Sequence, residues 1–295
     1  MASMLFSKPT FSLAVPVASV VSLAAISRLS TSNLALSEGK VAFSAKEWRS
    51  FPLVQIRELT PNTSLFRFNL PSQEHEMGLS VASCIEVKAP PKEGGKPMIR
   101  PYTPTTNNDV KGYFDLIVKD YPNGKVSSYF HNLKIGDSIL VKGPYDKLQY
   151  KPNMFKRIGM IAGGTGITPM LQMLKVILSN PKDKTEVHLV FANNTEDDIM
   201  QKNVLDQMAV EYHNFHVHYV VAKPRPSWKG GVGFVDLDTV ERKIPAPEEG
   251  TMVFVCGPPG MMESISGDKA EDKSQGEVSG VLKERGYTSG MVYKF

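Results

Sequence analysis

Three short segments carry most of the groups in this chain that are suited to chemistry. They are Arg100-Pro101-Tyr102-Thr103-Pro104, Gly163-Gly164-Thr165-Gly166-Ile167-Thr168-Pro169 and Cys256-Gly257-Pro258-Pro259-Gly260-Met261-Met262. The first offers a cation, a planar ring and a hydroxyl group. The second is a glycine loop, and the third is a thiol beside a stiff turn. Each segment alone is an ordinary turn or strand end. Only the three together, in this order, indicate a function.

The first segment is suited to holding an anion and a flat ring together. In an extended, proline-flanked segment, Arg100 and Tyr102 are expected on one face and Thr103 on the other. An arginine binds a phosphate through two parallel hydrogen bonds, and a tyrosine ring stacks on another flat ring. The pentapeptide by itself favours the alternative, a surface turn.

The second segment places a glycine loop between an apolar strand, residues 158–162, and a helix-periodic segment. A helix amino terminus offers free N–H groups and a favourable dipole to an anion such as a pyrophosphate. Pro169 fits the first helical turn, where its missing N–H has no cost. A tight strand-to-helix turn without a ligand is an equal alternative.

Two more positions have backbone or side-chain groups to offer. Gly124-Lys125-Val126-Ser127 precedes a predicted helix over residues 127–133, and its N–H groups predict another anion site. Capping of that helix by Ser127 is a compatible alternative. Cys256 ends the last predicted strand, at the edge where open α/β sheets bind ligands. Alone, it favours a buried cysteine that packs as a small hydrophobic residue.

The elements that must position these motifs change in character near residues 149–156. Before this boundary, short alternating strands predict an N-terminal antiparallel β-barrel over residues 46–150. After it, strands alternate with helices over residues 155–295, which indicates an α/β doubly wound parallel sheet. One of the predicted helices spans residues 196–211 and opens with acidic residues.

Composition excludes several classes of protein. The 295 residues are 41% apolar and 22% charged, as in a soluble globular protein, and the net charge of +4 is too small to indicate nucleic-acid binding. The two cysteines support neither a disulfide framework nor an iron–sulfur cluster. The six histidines lack metal-ligating neighbours in the sequence, including His216-x-His218, so no metal site is expected.

Residues 1–37 differ from the rest of the chain. They contain nine serines, no acidic residue, and only Lys8 and Arg28 as charges. This composition predicts a transit peptide or a membrane anchor. The apolar stretch, residues 11–26, is short for a membrane-spanning helix, which needs about 20 residues.

Together, the motifs closely resemble those of the NADH–cytochrome b5 reductases, within the ferredoxin-reductase-like flavoenzymes. The likeness covers about residues 46–295 and is closest to the mitochondrial-type and plant-type members. Residues 160–170 and the stretch Ser274-Gln275-Gly276-Glu277-Val278 are especially similar. The resemblance implies an FAD-dependent enzyme that takes hydride from NADH and passes single electrons to cytochrome b5 or a similar small haem protein.

The resemblance also implies residue roles in FAD binding. It places Arg100 on the FAD diphosphate, Tyr102 against the isoalloxazine and Thr103 beside flavin N5. The other positions implied to contact FAD or the arriving nicotinamide are Pro101, Ile117, Lys119, Tyr121, Gly124, Lys125, Val126, Ser127 and Thr168.

For the pyridine nucleotide, the resemblance implies a second set of residues. They are Gly164, Thr165, Phe234, Cys256, Gly257, Pro258 and Met261, with Phe234 near the adenosine. Thr103 and Cys256 are the two residues implied to act in catalysis. The family places an acidic residue where this chain has Ala222, followed by Lys223 and Arg225. Loss of that carboxylate predicts weaker rejection of NADPH.

The alternatives are a related flavin reductase with another acceptor, such as a ferric chelate or a quinone, and a nucleotide-binding regulatory module without turnover. The family suggests a monomer, with membrane association through the N-terminus. It also favours the mitochondrion, at the membrane or in the intermembrane space, over a plastid or the endoplasmic-reticulum membrane.

Overall fold

The computed structural model describes residues 40–91 and 95–295, which form two six-stranded sheets. The predicted leader, residues 1–37, lies outside the described residues, as does Lys92. Among the described residues, no helix has the length and apolar character needed to cross a membrane.

The first sheet is antiparallel throughout, in the order β4-β3-β6-β1-β2-β5. Its strands are β1 (Arg49–Thr60), β2 (Thr63–Asn69), β3 (Ser83–Ala89), β4 (Met98–Tyr102), β5 (Tyr113–Lys119) and β6 (Ser138–Asp146). The edges approach each other where the Thr105 N–H, just after β4, donates to the Asp115 carbonyl of β5 at 3.0 Å. This contact brings the two ends of the sheet together around the core of the predicted barrel.

An aromatic core fills the first sheet. Phe51, Phe68 and Phe114 are fully buried, and Phe114 stacks on Phe68 with ring centroids 5.3 Å apart. These residues lie on the neighbouring strands β1, β2 and β5, so their side chains meet in one layer. The short helix α1 (Lys125–His131) adds the buried Phe130 to the same core.

The second sheet is parallel throughout, in the order β10-β9-β8-β7-β11-β12. Its strands are β7 (Arg157–Gly163), β8 (Glu186–Asn193), β9 (Phe215–Val221), β10 (Gly231–Val232), β11 (Thr251–Cys256) and β12 (Val292–Lys294). The order runs outward from β7 in one direction through β10, and then resumes at β11 on the other side of β7. The switch point of the sheet is therefore the crevice between β7 and β11.

Helices cover both faces of the second sheet, which confirms the doubly wound fold. One face packs against α2 (Ile167–Ser179) and α3 (Lys202–Glu211). The other face packs against α4 (Leu237–Lys243), α5 (Pro259–Ile265) and α6 (Gly280–Arg285).

The single helix predicted over residues 196–211 is wrong. A 3-10 turn, Glu196–Asp198, comes first, and α3 begins only at Lys202. Between them, Gln201 has a left-handed backbone with φ of 59°, which a continuous right-handed helix does not allow. The acidic residues that suggested a helix start belong to a capping box, in which Thr195 and Asp198 bond reciprocally.

Candidate active site

A cavity of about 1340 Å³ opens between the two sheets, at the carboxyl ends of β7 and β11. It is larger than the roughly 300–1,000 Å³ of an ordinary small-molecule pocket. Residues from both sides line it, including Arg100 and Tyr102 from β4, Thr165 from the turn after β7, and Cys256 from β11. The three segments that the sequence analysis singled out therefore meet at one place.

The glycine loop, residues 163–169, packs closely against the carboxyl end of β11. A Cβ atom at Gly166 would lie 2.1 Å from the Cys256 carbonyl oxygen, and one at Gly163 would lie 2.5 Å from the Met261 sulfur. Gly164 has a left-handed backbone with φ of 53°. At Gly163 and Gly166, glycine is needed so that the loop and the end of β11 can pack together, and not only so that an anion can approach.

On the side of the first sheet, β4 presents its residues to the cavity. The Tyr102 ring packs on Phe130 with centroids 5.0 Å apart, and burial raises the pKa of its phenol. Arg100 is exposed and donates only to the neighbouring Ile99 carbonyl, at 2.9 Å. Its guanidinium therefore keeps donors for an anion in the cavity.

The turn before α1 has its own internal hydrogen bonds. The Ser127 hydroxyl donates to the Gly124 carbonyl at 3.1 Å and accepts the Tyr121 N–H at 3.3 Å. Gly124 occupies the cap position of α1, with no side-chain cap, so Ser127 closes the turn instead of capping the helix. The Tyr121 hydroxyl lies 3.2 Å from the Thr165 hydroxyl, which joins the two sheets across the cavity.

A second link between the sheets lies at the base of the cavity. Lys119 of β5 donates to Asp198 at 3.1 Å, and the Asn62 amide donates to the same carboxylate at 3.0 Å. The side chains of Lys119 and Asp198 are only 13% and 10% exposed. Burial opposes ionisation of Asp198, but hydrogen bonds from Thr195, Asn62 and Lys119 lower its pKa overall.

Cys256 lines the cavity as a neutral thiol. Burial raises the pKa of the Cys256 thiol to about 11, and Lys269 opposes this only weakly. A thiolate nucleophile needs a lowered pKa, so this environment supports contact with a ring and not covalent catalysis.

The charge of the cavity wall fits a ligand that carries phosphates. Its cations are Arg100, Lys119, Lys125, Lys147, Lys269 and Lys273, and Glu86 is the one carboxylate among the described lining residues. Tyr145 donates a hydrogen bond to Glu86 at 3.1 Å. The cavity therefore suits the diphosphates of FAD and of a nicotinamide dinucleotide, while Tyr102 provides the flat surface that a flavin ring needs.

Most residues predicted for the site line this cavity, and three do not. Gly164 lies in the loop but not on the wall. Met261 lies behind the loop, where its sulfur would meet a Cβ atom on Gly163 or Gly257. Phe234 is 84% exposed and lies away from the cavity. The individual contacts of the predicted residues with cofactors stay predictions.

Residues near the end of the described chain also line the cavity, and no sequence pattern indicated them. Lys269, Lys273 and Phe295 line the cavity. The Phe295 N–H donates to the Val255 carbonyl at 3.0 Å, and its ring packs on Tyr293 and Phe254, with centroids 5.1 and 5.7 Å away. No local pattern marks these residues, because they reach the cavity only through pairing of β12 with β11.

A buried lysine contacts the stretch at residues 274–278, which the sequence analysis found to be especially similar to the family. Lys294 is fully buried and donates to the carbonyls of Asp268 and Glu277, at 2.8 and 2.7 Å. The Lys294 backbone also donates to the Gln275 side chain at 2.5 Å. This network holds the loop that carries Lys269 and Lys273 to the cavity.

The segment after β9, where this chain has Ala222, carries acidic partners as well as the cations Lys223 and Arg225. Arg225 forms an ion pair with Asp197, and its N–H donates to Glu196 at 3.0 Å. Two carboxylates of the 3-10 turn therefore stand close to the position where the family has one. They offset the attraction that Arg225 would otherwise exert on an added phosphate.

Two family matches agree with this architecture. Residues 50–150 match the family described as "Oxidoreductase FAD-binding domain", and residues 160–267 match "Oxidoreductase NAD-binding domain". With the cation-lined cavity at their junction, these matches define the chain as an oxidoreductase that uses FAD and NADH.

Curated relatives narrow the class. The chain is 50% identical over 260 residues to the "NADH-cytochrome b5 reductase-like protein" of Arabidopsis thaliana, which covers 87% of this chain and 79% of the relative. It is 44% identical over 250 residues to "NADH-cytochrome b5 reductase 2" of Emericella nidulans, covering 84% and 78%. The chain belongs to the NADH–cytochrome b5 reductase family.

A solved structure shows the same arrangement. The cytochrome b5 reductase domain of Ulva prolifera nitrate reductase aligns with a TM-score of 0.76 at 34% identity, covering 86% of this chain and all of that one (100%). The resemblance inferred from the motifs, and with it the two-sheet fold, is therefore confirmed.

Proposed function

We propose that this chain catalyses electron transfer from NADH to cytochrome b5, or to a small haem protein like it, with FAD as the resident cofactor. The observation that carries the proposal is the cation-lined cavity to which both sheets contribute. FAD and NADH that bind in one cavity can be held close enough to react, which removes much of the entropic barrier to their reaction.

The protein's own residues bind and orient in this mechanism. Arg100 and the N–H groups of residues 125–127 hold a diphosphate, and Tyr102 supports a flat ring from the first sheet. Thr165 and the glycine loop receive the second nucleotide, and Cys256 borders its nicotinamide. When bound, FAD supplies the chemistry that converts a two-electron donor into single-electron transfers.

A spectroscopic titration tests the proposal. The purified full chain should carry a flavin absorption spectrum that bleaches when NADH is added without oxygen and returns when oxidised cytochrome b5 is added. In the Thr103→Val variant, which keeps the shape of the side chain but not its hydroxyl, we expect slower bleaching with the same final extent.

Two results would overturn all or part of this proposal. A chain without a flavin spectrum, even after FAD is added, would favour a regulatory module that binds nucleotides without turnover. Bleaching that ferric chelates or quinones reverse, but cytochrome b5 does not, would retain the reductase and replace the acceptor.

We further propose a mitochondrial location, at the membrane or in the intermembrane space, and a monomeric enzyme attached through its N-terminus. The support is the acid-free, serine-rich composition of residues 1–37. Fusion of these residues to a fluorescent protein tests the location. Targeting to plastids or to the endoplasmic reticulum would contradict it.

A further inference from the structure

Three potential metal ligands converge far from the cavity, at the amino ends of β8 and β9. Glu186 and His188 are the first and third residues of β8, and His216 is the second residue of β9. The parallel register pairs His188 directly with His216. The cavity lies at the carboxyl ends of the strands, so this cluster is at the opposite edge of the sheet.

The donor atoms of the three side chains are already close together. The Glu186 Oε1 atom lies 2.8 Å from His188 Nε2 and 3.7 Å from His216 Nε2, and the two rings have centroids 4.7 Å apart. Ligands that bind zinc tetrahedrally at 2.0–2.2 Å lie about 3.4 Å from each other. The two separations from Glu186 lie on either side of this value, and all three donor atoms lie within 4.8 Å of one another.

We propose that Glu186, His188 and His216 form a binding site for a divalent transition-metal ion. Zn²⁺ is the ion used to test the site. Two imidazoles and one carboxylate are a known zinc ligand set, and water completes the tetrahedron. The side chains are 43%, 25% and 53% exposed, so an ion reaches them from solvent.

The surroundings also support coordination. The three donor side chains include one carboxylate, which supplies a negative charge to balance part of the charge of a divalent cation. Arg157, which lies opposite Glu186 in the sheet register, forms an ion pair with Glu248. Sequence spacing did not indicate this site, because the ligands come from two strands and meet only through the sheet register.

Equilibrium dialysis of the full-length holoenzyme against Zn²⁺ at neutral pH tests the site. We expect one ion per chain for the unaltered protein. His216→Ala should weaken binding by at least about tenfold, because loss of even an outer partner of a metal ligand costs about 10- to 100-fold in affinity. His213→Ala, an exposed histidine outside the cluster, is the matched control and should bind zinc as the unaltered protein does.

Two outcomes would overturn the site. One is the absence of a stoichiometric zinc ion in the unaltered protein, and the other is equal binding by the His216→Ala and unaltered chains. The second variant, His216→Gln, again replaces the more exposed of the two histidines and leaves the less exposed His188 in place. Circular dichroism melting shows whether both variants fold. The site is remote from the cavity, so we expect NADH oxidation without added zinc to be unchanged in these variants.

Discussion

At the scale of single residues, the partners of Arg225 bear on the prediction about NADH and NADPH. Ala222 removes the carboxylate that the family places there, but Asp197 and Glu196 bind Arg225 from a different element. The two carboxylates of the 3-10 turn therefore act on Arg225, three residues after Ala222. The expectation of weaker discrimination stays a prediction, and it now depends on these two carboxylates.

The Asp197→Asn variant should raise the ratio of NADPH to NADH efficiency. Removal of this carboxylate frees Arg225 for a 2′-phosphate, and we expect about a fivefold rise, which is about 1 kcal/mol. Steady-state kcat/KM values with each nucleotide measure it. In the double variant Asp197→Asn, Arg225→Gln the rise should disappear, and an unchanged ratio in the single variant would contradict the explanation.

Cys256 should behave as an unreactive thiol despite its place on the cavity wall. With a pKa of about 11, only about one thiol in a thousand is ionised at pH 8. We expect iodoacetamide to label Cys256 slowly in the folded chain and rapidly in urea, as followed by mass spectrometry. Rapid labelling of the folded protein near pH 7 would show that the thiol is activated instead.

At the scale of elements, the contact between the glycine loop and the end of β11 shapes the cavity. Gly166→Ala places a methyl group against the Cys256 carbonyl, so loop and strand must separate. We expect a loss of about 1–3 kcal/mol in unfolding free energy, as for other overpacked sites, and a higher KM for NADH.

The matched control for this variant is Gly260→Ala in α5, where an added Cβ atom has no neighbour within 4 Å. It should unfold no more easily than the unaltered chain, because alanine favours a helix over glycine. Chemical denaturation and steady-state kinetics on both variants provide the comparison. Equal stability of Gly166→Ala and Gly260→Ala would show that the loop tolerates separation from β11.

Elements with a clear local pattern were predictable, and those that depend on backbone exceptions were not. Alternation over residues 65–70 located β2, and the apolar run before the glycines located β7. The segment around Gln201 failed, because a left-handed residue outside glycine leaves no sequence signal. The same limit applies to Lys269 and Phe295, whose position depends on strand order.

At the scale of the whole molecule, Asp198 joins the two sheets through Lys119 and Asn62. Asp198→Asn should lower the unfolding free energy by about 3 kcal/mol at pH 7, since it leaves a buried cation without its partner. Urea denaturation measures the change. Asp238→Asn, which breaks the exposed pair with Arg242, is the control and should cost less than about 1 kcal/mol.

The pH dependence of this loss has a definite sign. The folded pKa of Asp198 is lowered, so its ionised form stabilises the fold at a pH above the ordinary aspartate value of about 3.9. The stabilisation is lost as the pH falls through the folded pKa. The difference between Asp198→Asn and the unaltered chain should therefore be full at pH 7 and shrink below about pH 4. A difference that persists at lower pH would contradict the role of the carboxylate.

The place of Phe295 has a practical consequence for anyone who handles this enzyme. Its ring is part of the cavity wall, and the buried Lys294 before it fixes the direction of the chain. An affinity tag or a fluorescent fusion joined directly to Phe295 would start beside the cavity wall, where it would crowd the reactants. Labels for purification or imaging are better inserted at an exposed turn elsewhere, such as the one around Gly136.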